Sequence, residues 1–173
     1  MSVFVDPMIA CFDVHYFDDY ANAAAVVFRN WSDAQGLDSA VARCDISGEY
    51  TAGEFYKREL NPLLTLIGEL CHQIDIFVID AYCQLSEDGT PGLGKYLHER
   101  LPDGSSVIGV AKNRFRRTNH AVELLRGESN RPLFVTAVGT DYQKAAGHVE
   151  SMHGSHRIPS LLKMVDHLAR NGG

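Results

Sequence analysis

The stretch Ile9–Phe17, with the sequence IACFDVHYF, is an apolar, β-prone run that carries one carboxylate in its middle. With the two-residue period of a strand, Asp13 shares a face with Cys11, while Phe12 lies on the other face. Burying an unpaired carboxylate on such a strand would cost several kcal/mol. Asp13 is therefore expected to be neutralised, paired or bound to a metal. The alternative is that it lies at a frayed strand end or pairs with a Lys or Arg.

A second carboxylate, Glu59, lies on a predicted helix. Apolar residues recur at roughly helical spacing and predict an amphipathic helix over much of Glu54–His72. Pro62 is expected to kink this helix or to start a new one. Glu59 lies near the apolar face. The alternative is an exposed glutamate that pairs with Lys57 or Arg58.

A third carboxylate, Asp80, follows the short apolar run Ile76–Ile79. A continuous apolar run is typical of a strand that is covered on both faces. Its position after a helix makes it parallel to the first strand, and ligand sites in such sheets lie beyond the carboxyl ends of parallel strands. A metal-binding carboxylate would lie where Asp80 is, although Asp80 could equally cap the next turn.

The other patterns along the chain complete a single α/β domain that spans residues 1–173. Ala23–Arg29 and a short stretch near Leu37–Cys44 predict two strands that form an antiparallel meander with the first. The remaining predicted elements are helices over Lys95–Arg100, Tyr142–Met152 and Ser160–Arg170, and strands over Ser105–Ala111 and Leu133–Val138.

A basic segment, KNRFRR, begins at Lys112 directly after the strand Ser105–Ala111. Its residues Arg114, Arg116 and Arg117, together with one aromatic residue, form a candidate contact for the phosphate backbone of a nucleic acid. The alternative is an ordinary solvated basic hairpin.

Composition narrows the class of protein. The chain of 173 residues has a net charge of −6, which argues against a general nucleic-acid coat but allows a local basic surface. No apolar run is long enough to span a bilayer, and no basic segment precedes an apolar stretch at the N-terminus. We therefore expect a cytoplasmic protein that does not bind membranes. The four cysteines form no CxxC pair and are expected to be reduced thiols.

The order strand, strand, strand, helix, parallel strand, with carboxylates on the first strand, the helix and the fourth strand, is the layout of ribonuclease H-like nucleases. Within that class, the chain resembles the endonuclease V family, the deoxyinosine 3′ endonucleases. The motifs that carry the resemblance, in family order, are Asp13-Val14-His15-Tyr16, Gly48–Leu60, Val78-Ile79-Asp80, Ile108–Lys112, Pro132–Val135 and Arg157-Ile158-Pro159.

The resemblance implies an α/β fold with a ribonuclease H-like mixed sheet flanked by helices on both faces. It implies that Asp13, Glu59 and Asp80 bind Mg²⁺ or Mn²⁺, and that Lys112 lies close to the reacting phosphate. It places Tyr50 in the stretch where the family has a wedge that separates strands beside the lesion. The implied activity is hydrolysis of a phosphodiester one nucleotide beyond inosine, in DNA or RNA, by a monomer.

The sequence departs from the family pattern in three places. Asp80 is followed by AYCQLSEDGTPGLG, without the family's His-Pro-Arg run. Gly139 aligns with the position of a family histidine, and the nearby Asp141 is a candidate fourth metal ligand or water-positioning group. The prolines around the wedge are missing, with Ala52 after Thr51. These departures affect base recognition and the last catalytic part more than the three carboxylates.

Two other hypotheses follow from the same residues. The missing His-Pro-Arg run and histidine favour a binding module that keeps the fold and recognises modified nucleic acid without cutting it. An α/β domain that acts on a small phosphorylated metabolite, with Asp13 and Asp80 holding a metal, is a third hypothesis. It leaves the ordered family motifs unexplained.

Overall fold

The strands form one mixed sheet at the centre of the protein, and helices pack on both of its faces. The computed structural model describes residues 3–46 and 55–172. The sheet order is β3-β2-β1-β4-β5-β7-β6. The elements are β1 Ile9–Tyr16, β2 Tyr20–Phe28, β3 Asp38–Asp45, α1 Phe55–Glu69, β4 Ile76–Ile79, α2 Leu93–His98, β5 Ser106–Ala111, β6 Val122–Leu124, β7 Leu133–Val138, α3 Tyr142–Ser151 and α4 Ser160–Asn171.

Strand β1 lies in the middle of the sheet and determines its mixed character. It pairs with β2 as an antiparallel hairpin and with β4 as a parallel neighbour. Strand β3 pairs antiparallel with β2, which confirms the predicted meander. The predicted bounds of β4 and β7 are also confirmed. The carboxyl ends of β1, β4 and β5 consequently meet at one edge of the sheet.

Two apolar cores lie on opposite faces of the sheet, as the two-residue period of β1 predicts. Cys11 is buried in the core that β1 shares with α3 and α4, and Phe12 is buried in the core that it shares with α1 and α2. Both side chains are almost fully excluded from solvent. The predicted helices on both faces of the sheet are therefore confirmed.

Helix α1 continues through Pro62, where the sequence predicted a kink or a new helix. Proline has no N–H, so the carbonyl of Arg58, four residues earlier, receives no helical hydrogen bond from it. The hydroxyl of Tyr16 donates to that carbonyl instead, at 3.3 Å. The interior proline thereby leaves an acceptor that links α1 to the carboxyl end of β1.

One strand of the sheet was not predicted from the sequence. The three-residue strand β6, Val122–Leu124, pairs with β7 at the edge of the sheet. It is too short for a two-residue alternation to be recognisable. Among the described residues, no helix is long and apolar enough to cross a membrane.

Candidate active site

A cleft of about 250 Å³ opens at the carboxyl ends of β1 and β4. Asp13, Glu59 and Asp80 all line it. The register of the parallel pair puts Phe12 opposite Ile79, so the next residue on each strand carries a carboxylate to the same edge. The structure thus brings together the three carboxylates that the sequence singled out.

Glu59 reaches the cleft from the helix side. It is half-buried on α1, one residue before the buried Leu60, and Leu63 of the next turn lines the same cleft. Burial, followed by the charge of Asp80, raises the pKa of Glu59. Because Glu59 is half-buried in this cleft, it is not the exposed surface glutamate of the alternative interpretation.

Lys112 follows β5 and extends toward the neighbouring strand end. Its Nζ donates to Oδ2 of Asp80 at 2.8 Å, in a pair that is about one-third exposed. Burial alone lowers the pKa of Lys112, but the hydrogen bond and charge of Asp80 outweigh it and raise this pKa. The lysine is therefore a fixed positive charge beside the carboxylates.

A fourth carboxylate, Asp166, was not identified from the sequence. It lies on α4, and its carboxyl group is close enough to that of Asp13 for each to shift the pKa of the other. Arg170, one turn later on the same helix, holds it through Nε at 3.0 and 3.1 Å. Burial would raise the pKa of Asp166, but the hydrogen bonds from Arg170 and Asp13 outweigh it and lower this pKa.

The signal for Asp166 was present in the sequence. The predicted last helix has Leu162 and Val165 on its inward side, and Asp166 lies four residues after the first and next to the second. Both apolar side chains line a hollow that also borders Asp13. A carboxylate at the margin of an inward-facing apolar stripe indicates a partly buried charge, and this is the pattern that marks Asp166 in the sequence.

Asp141 does not join these carboxylates, which corrects the expectation of a fourth metal ligand there. Its side chain accepts a hydrogen bond from the backbone N–H of Lys144 at 3.0 Å and caps the start of α3. Strand β7 runs antiparallel to β5 and pairs Val138 with Val107, near the start of β5. Asp141 therefore lies at the opposite edge of the sheet from Asp80.

The three arginines of the basic segment differ in how their charges are used. Arg114 pairs with Glu123 and also donates to Asn119 at 2.6 Å, so its charge is engaged within the protein. Arg116 lies over the ring of Phe115, and both Arg116 and Arg117 are exposed. Arg116 and Arg117 are therefore accessible from solvent, as a phosphate contact requires. Tyr50, the candidate wedge, lies outside the described residues.

The donor set fits a hard divalent cation in chemistry and in charge. Burial, then the charge of Asp80 and the hydrogen bond with Asp166, raise the pKa of Asp13 to about 7. The shift arises first from burial and then from the neighbouring negative charge of Asp80 and Asp166. Carboxylate oxygens are the ligands that Mg²⁺ and Mn²⁺ prefer. In residues 3–46 and 55–172, however, no three His, Cys, Asp or Glu side chains are already gathered around one ion position. The carboxylates would therefore have to converge on the ion when it binds.

In EDTA, Asp13→Asn should stabilise the protein, and more at pH 8 than at pH 5. The folded-state pKa of about 7 lies above the ordinary value of an aspartate. The contribution of the Asp13 carboxyl group to the free energy of unfolding is therefore most favourable below about pH 4, and it declines as the pH rises through about 7. Asparagine cannot ionise, so the gain should reach roughly 2–4 kcal/mol at pH 8. Urea unfolding at both pH values measures it.

The exposed helix cap provides the control for this measurement. Asp141→Asn keeps a good capping side chain and should leave stability nearly unchanged at both pH values. An equal gain for Asp13→Asn at pH 5 and pH 8, or no gain at either, would contradict a carboxyl group whose charge is costly in the folded state.

The amino-acid sequence matches a known family over nearly its whole length. Residues 3–167 match the family model described as Endonuclease V. The endonuclease V of Nocardia farcinica (strain IFM 10152) is 31% identical over an alignment 176 residues long, and this alignment covers 89% of this chain and 76% of that protein.

Solved structures agree with the fold. The crystal structure of endonuclease V from Streptomyces avermitilis superposes with a TM-score of 0.76 at 26% identity, covering 97% of this chain and 83% of that one. Endonuclease V of Ciona intestinalis, solved with a 24mer DNA that contains an inosine followed by a ribo-adenosine, superposes with a TM-score of 0.77 at 18% identity, covering 96% and 85%. These likenesses confirm the ribonuclease H-like mixed sheet.

Proposed function

The chain belongs to the endonuclease V family, and from this premise we propose that it is a divalent-metal-dependent endonuclease that hydrolyses a phosphodiester bond close to deoxyinosine or inosine. The observation that carries the proposal is the shared cleft of Asp13, Glu59 and Asp80, with Lys112 beside it. Four elements distant in sequence supply these residues, which is typical of a site rather than of a chance surface cluster.

Mg²⁺ or Mn²⁺ is the proposed cofactor, and Asp13, Glu59 and Asp80 are its proposed ligands. Asp166, which lies beside Asp13, is added to this set in place of Asp141. When bound, such an ion can activate a water and stabilise negative charge on the attacking and leaving oxygens. The carboxylates would hold and orient the ion, and their combined negative charge supports its binding.

Lys112 is proposed to bind the reacting phosphate. Its ammonium group is a compact point charge on a flexible stem, which suits contact with a phosphate oxygen. Its present partner is Asp80 at 2.8 Å. Neutralisation of Asp80 by a cation would weaken this pair and free the lysine for the substrate.

The proposed partner is inosine-containing DNA or RNA. Endonuclease V of Ciona intestinalis was solved with inosine-containing DNA, and we propose the same class of substrate here. Arg116 and Arg117, exposed on the loop after Lys112, are proposed backbone contacts, whereas Arg114 is already paired with Glu123. Tyr50 as the wedge, the cytoplasm as the compartment and the monomer as the active state remain predictions.

A nicking assay tests the activity and the specificity together. We expect one cut, one bond beyond the modified base, in a labelled duplex or single strand with one deoxyinosine, in Mn²⁺ or Mg²⁺ but not in EDTA. The same oligonucleotides with deoxyadenosine are the matched controls, and inosine-containing RNA tests the second substrate.

The other outcomes separate the remaining hypotheses. Cutting without regard to inosine would keep the nuclease and remove the base specificity. Inosine binding that persists in EDTA, without cutting in any metal, would favour a reader of modified nucleic acid. Turnover of free nucleotides or sugar phosphates, with oligonucleotides left intact, would point to a metabolite enzyme.

A further inference from the structure

Tyr82 lies two residues after Asp80 and contacts the segment that carries Lys112. Its side chain is almost completely buried, with 8% exposed. Its hydroxyl donates to the carbonyl of Asn113 at 3.1 Å and accepts from the N–H of Phe115, also at 3.1 Å. One phenol thus satisfies two backbone groups directly after Lys112.

The backbone beside Tyr82 is fixed to the sheet. The N–H of Cys83 donates to Oγ1 of Thr136 at 2.8 Å, and Thr136 is fully buried in β7. The preceding residue, Ala81, lies so close to β5 that a Cβ on Gly109 would be 2.3 Å from its carbonyl oxygen. Tyr82 therefore projects from a rigid base, and its hydroxyl is a fixed point for the next loop.

Aromatic packing keeps the phenol in place. The ring centroid of Tyr82 lies 6.1 Å from that of Phe115, 5.9 Å from His120 and 6.5 Å from Phe134. Burial raises the pKa of Tyr82, so the hydroxyl retains the proton that it donates.

A second side chain, Arg157, also holds the backbone of Lys112. Arg157 donates through one Nη to the carbonyl of Lys112 and to the carbonyl of Pro132, the latter at 2.9 Å. The backbone of Lys112 is consequently held directly by Arg157 and, through the next residues, by Tyr82. Its Nζ meets Asp80 at the other end of the side chain.

We infer that Tyr82 is a positioning residue that fixes the backbone from which Lys112 reaches the cleft. The inference rests on the proposed function of Lys112 at this site. It also assigns a role to the loop AYCQLSEDGTPGLG, in which this chain departs from the family pattern: the loop joins the strand end that bears Asp80 to the segment that bears Lys112. A displacement of about 1 Å in a group that contacts the reacting phosphate can reduce the rate by up to about 100-fold.

Tyr82→Phe tests the inference because it removes the hydroxyl and keeps the ring. Both hydrogen bonds to the Lys112 segment are lost, while the aromatic packing remains. We expect kcat on the inosine oligonucleotide to fall about tenfold with KM changed less than about twofold. Partial unfolding would lower the fraction of active protein but not the kcat of each folded molecule. Circular dichroism and active-site titration therefore accompany the assay, so that kcat is calculated from the folded, active enzyme.

The double variant with Lys112→Ala separates positioning from an independent effect. If Tyr82 acts through Lys112, Tyr82→Phe should change kcat less than about twofold once the lysine is gone. Tyr142→Phe is the matched control, because its hydroxyl donates to the side chain of Gln84 in the same loop rather than to the Lys112 segment. It should leave kcat within about twofold in both backgrounds.

Equal losses from Tyr82→Phe with and without Lys112 would overturn the inference, and so would near-normal kcat in Tyr82→Phe alone. Wild-type activity in Lys112→Ala would overturn it too, while leaving the nuclease itself intact. Crystal structures of both tyrosine variants supply a readout that needs no activity. We expect the Nζ of Lys112 to leave Asp80 in Tyr82→Phe only, and an unmoved lysine there would reject positioning even if the wild type cut no substrate.

Discussion

Asp80→Asn is expected to lower metal-dependent cleavage by about 1,000-fold or more. Asp80 lies at the centre of the site: it pairs with Lys112, and its charge raises the pKa of both Asp13 and Glu59. Asparagine has the same shape but no charge, so it removes a metal ligand and the partner of Lys112 at once. Single-turnover cleavage of the deoxyinosine duplex in Mn²⁺ measures the loss.

Asp141→Asn provides the matched carboxylate control for cleavage. The substitution is chemically identical, but Asp141 caps α3 at the far edge of the sheet. It should cleave at the wild-type rate. If Asp80→Asn cleaved DNA at a rate comparable to that of the wild type, Asp80 would not be part of the active site. A large loss of cleavage in Asp141→Asn would instead indicate that the functional carboxylate lies at the opposite edge of the sheet.

Arg126→Met should lower the free energy of unfolding by about 3–5 kcal/mol, because several backbone carbonyls lose their donor at once. Arg126 is a buried arginine, 6% exposed, beneath the loop between α3 and α4. Methionine fills much of its volume but offers no donor. The carbonyls that lose their partner are those of Met152 at 2.7 Å, Gly154 at 3.1 Å, His156 at 2.6 Å and Arg157 at 3.3 Å.

The expected effect is a fall in melting temperature of roughly 10 °C, measured by calorimetry. The carbonyl of Met152 is buried and would be left without a donor, and the three part-buried carbonyls would lose the same partner, so the whole loop should loosen together. Arg131→Met is the control: Arg131 is exposed, and its backbone carbonyl makes the contact with Arg157. It should change stability by less than about 0.5 kcal/mol. Similar melting temperatures for the two variants would contradict the anchoring role of Arg126.

Local patterns predicted much of this fold. The alternation in β1 placed Cys11 and Phe12 in opposite cores, and the short apolar runs of β4 and β7 have the bounds that the sequence indicated. Three of the carboxylates in the site were identified because each interrupts or ends an apolar pattern. A charged residue in such a place is costly unless something compensates it, so it is informative without knowledge of tertiary structure.

The remaining parts depended on contacts that no local pattern contains. Asp141 follows a strand just as Asp80 does, but only the antiparallel pairing of β7 with β5 shows that it lies at the wrong edge. Asp166 borders the inward stripe of α4, but only the packing of α4 on the sheet brings it to Asp13. Glu123, which engages Arg114, lies on a strand that the sequence did not reveal. In each case the partner is distant in the sheet or in the chain, and spacing alone does not determine it.

Because Asp166 lies on the last described helix, the site can be completed only after the other elements have been translated. Asp13 is translated before Asp166, and because 153 residues separate them, Asp166 follows roughly ten to thirty seconds later at ordinary elongation rates. Until α4 packs on β1 and β2, with Asn22 donating to the carbonyl of Ala169 at 3.2 Å, the site lacks one wall. A nascent chain therefore carries an incomplete cleft until α4 has been translated and has packed on the sheet.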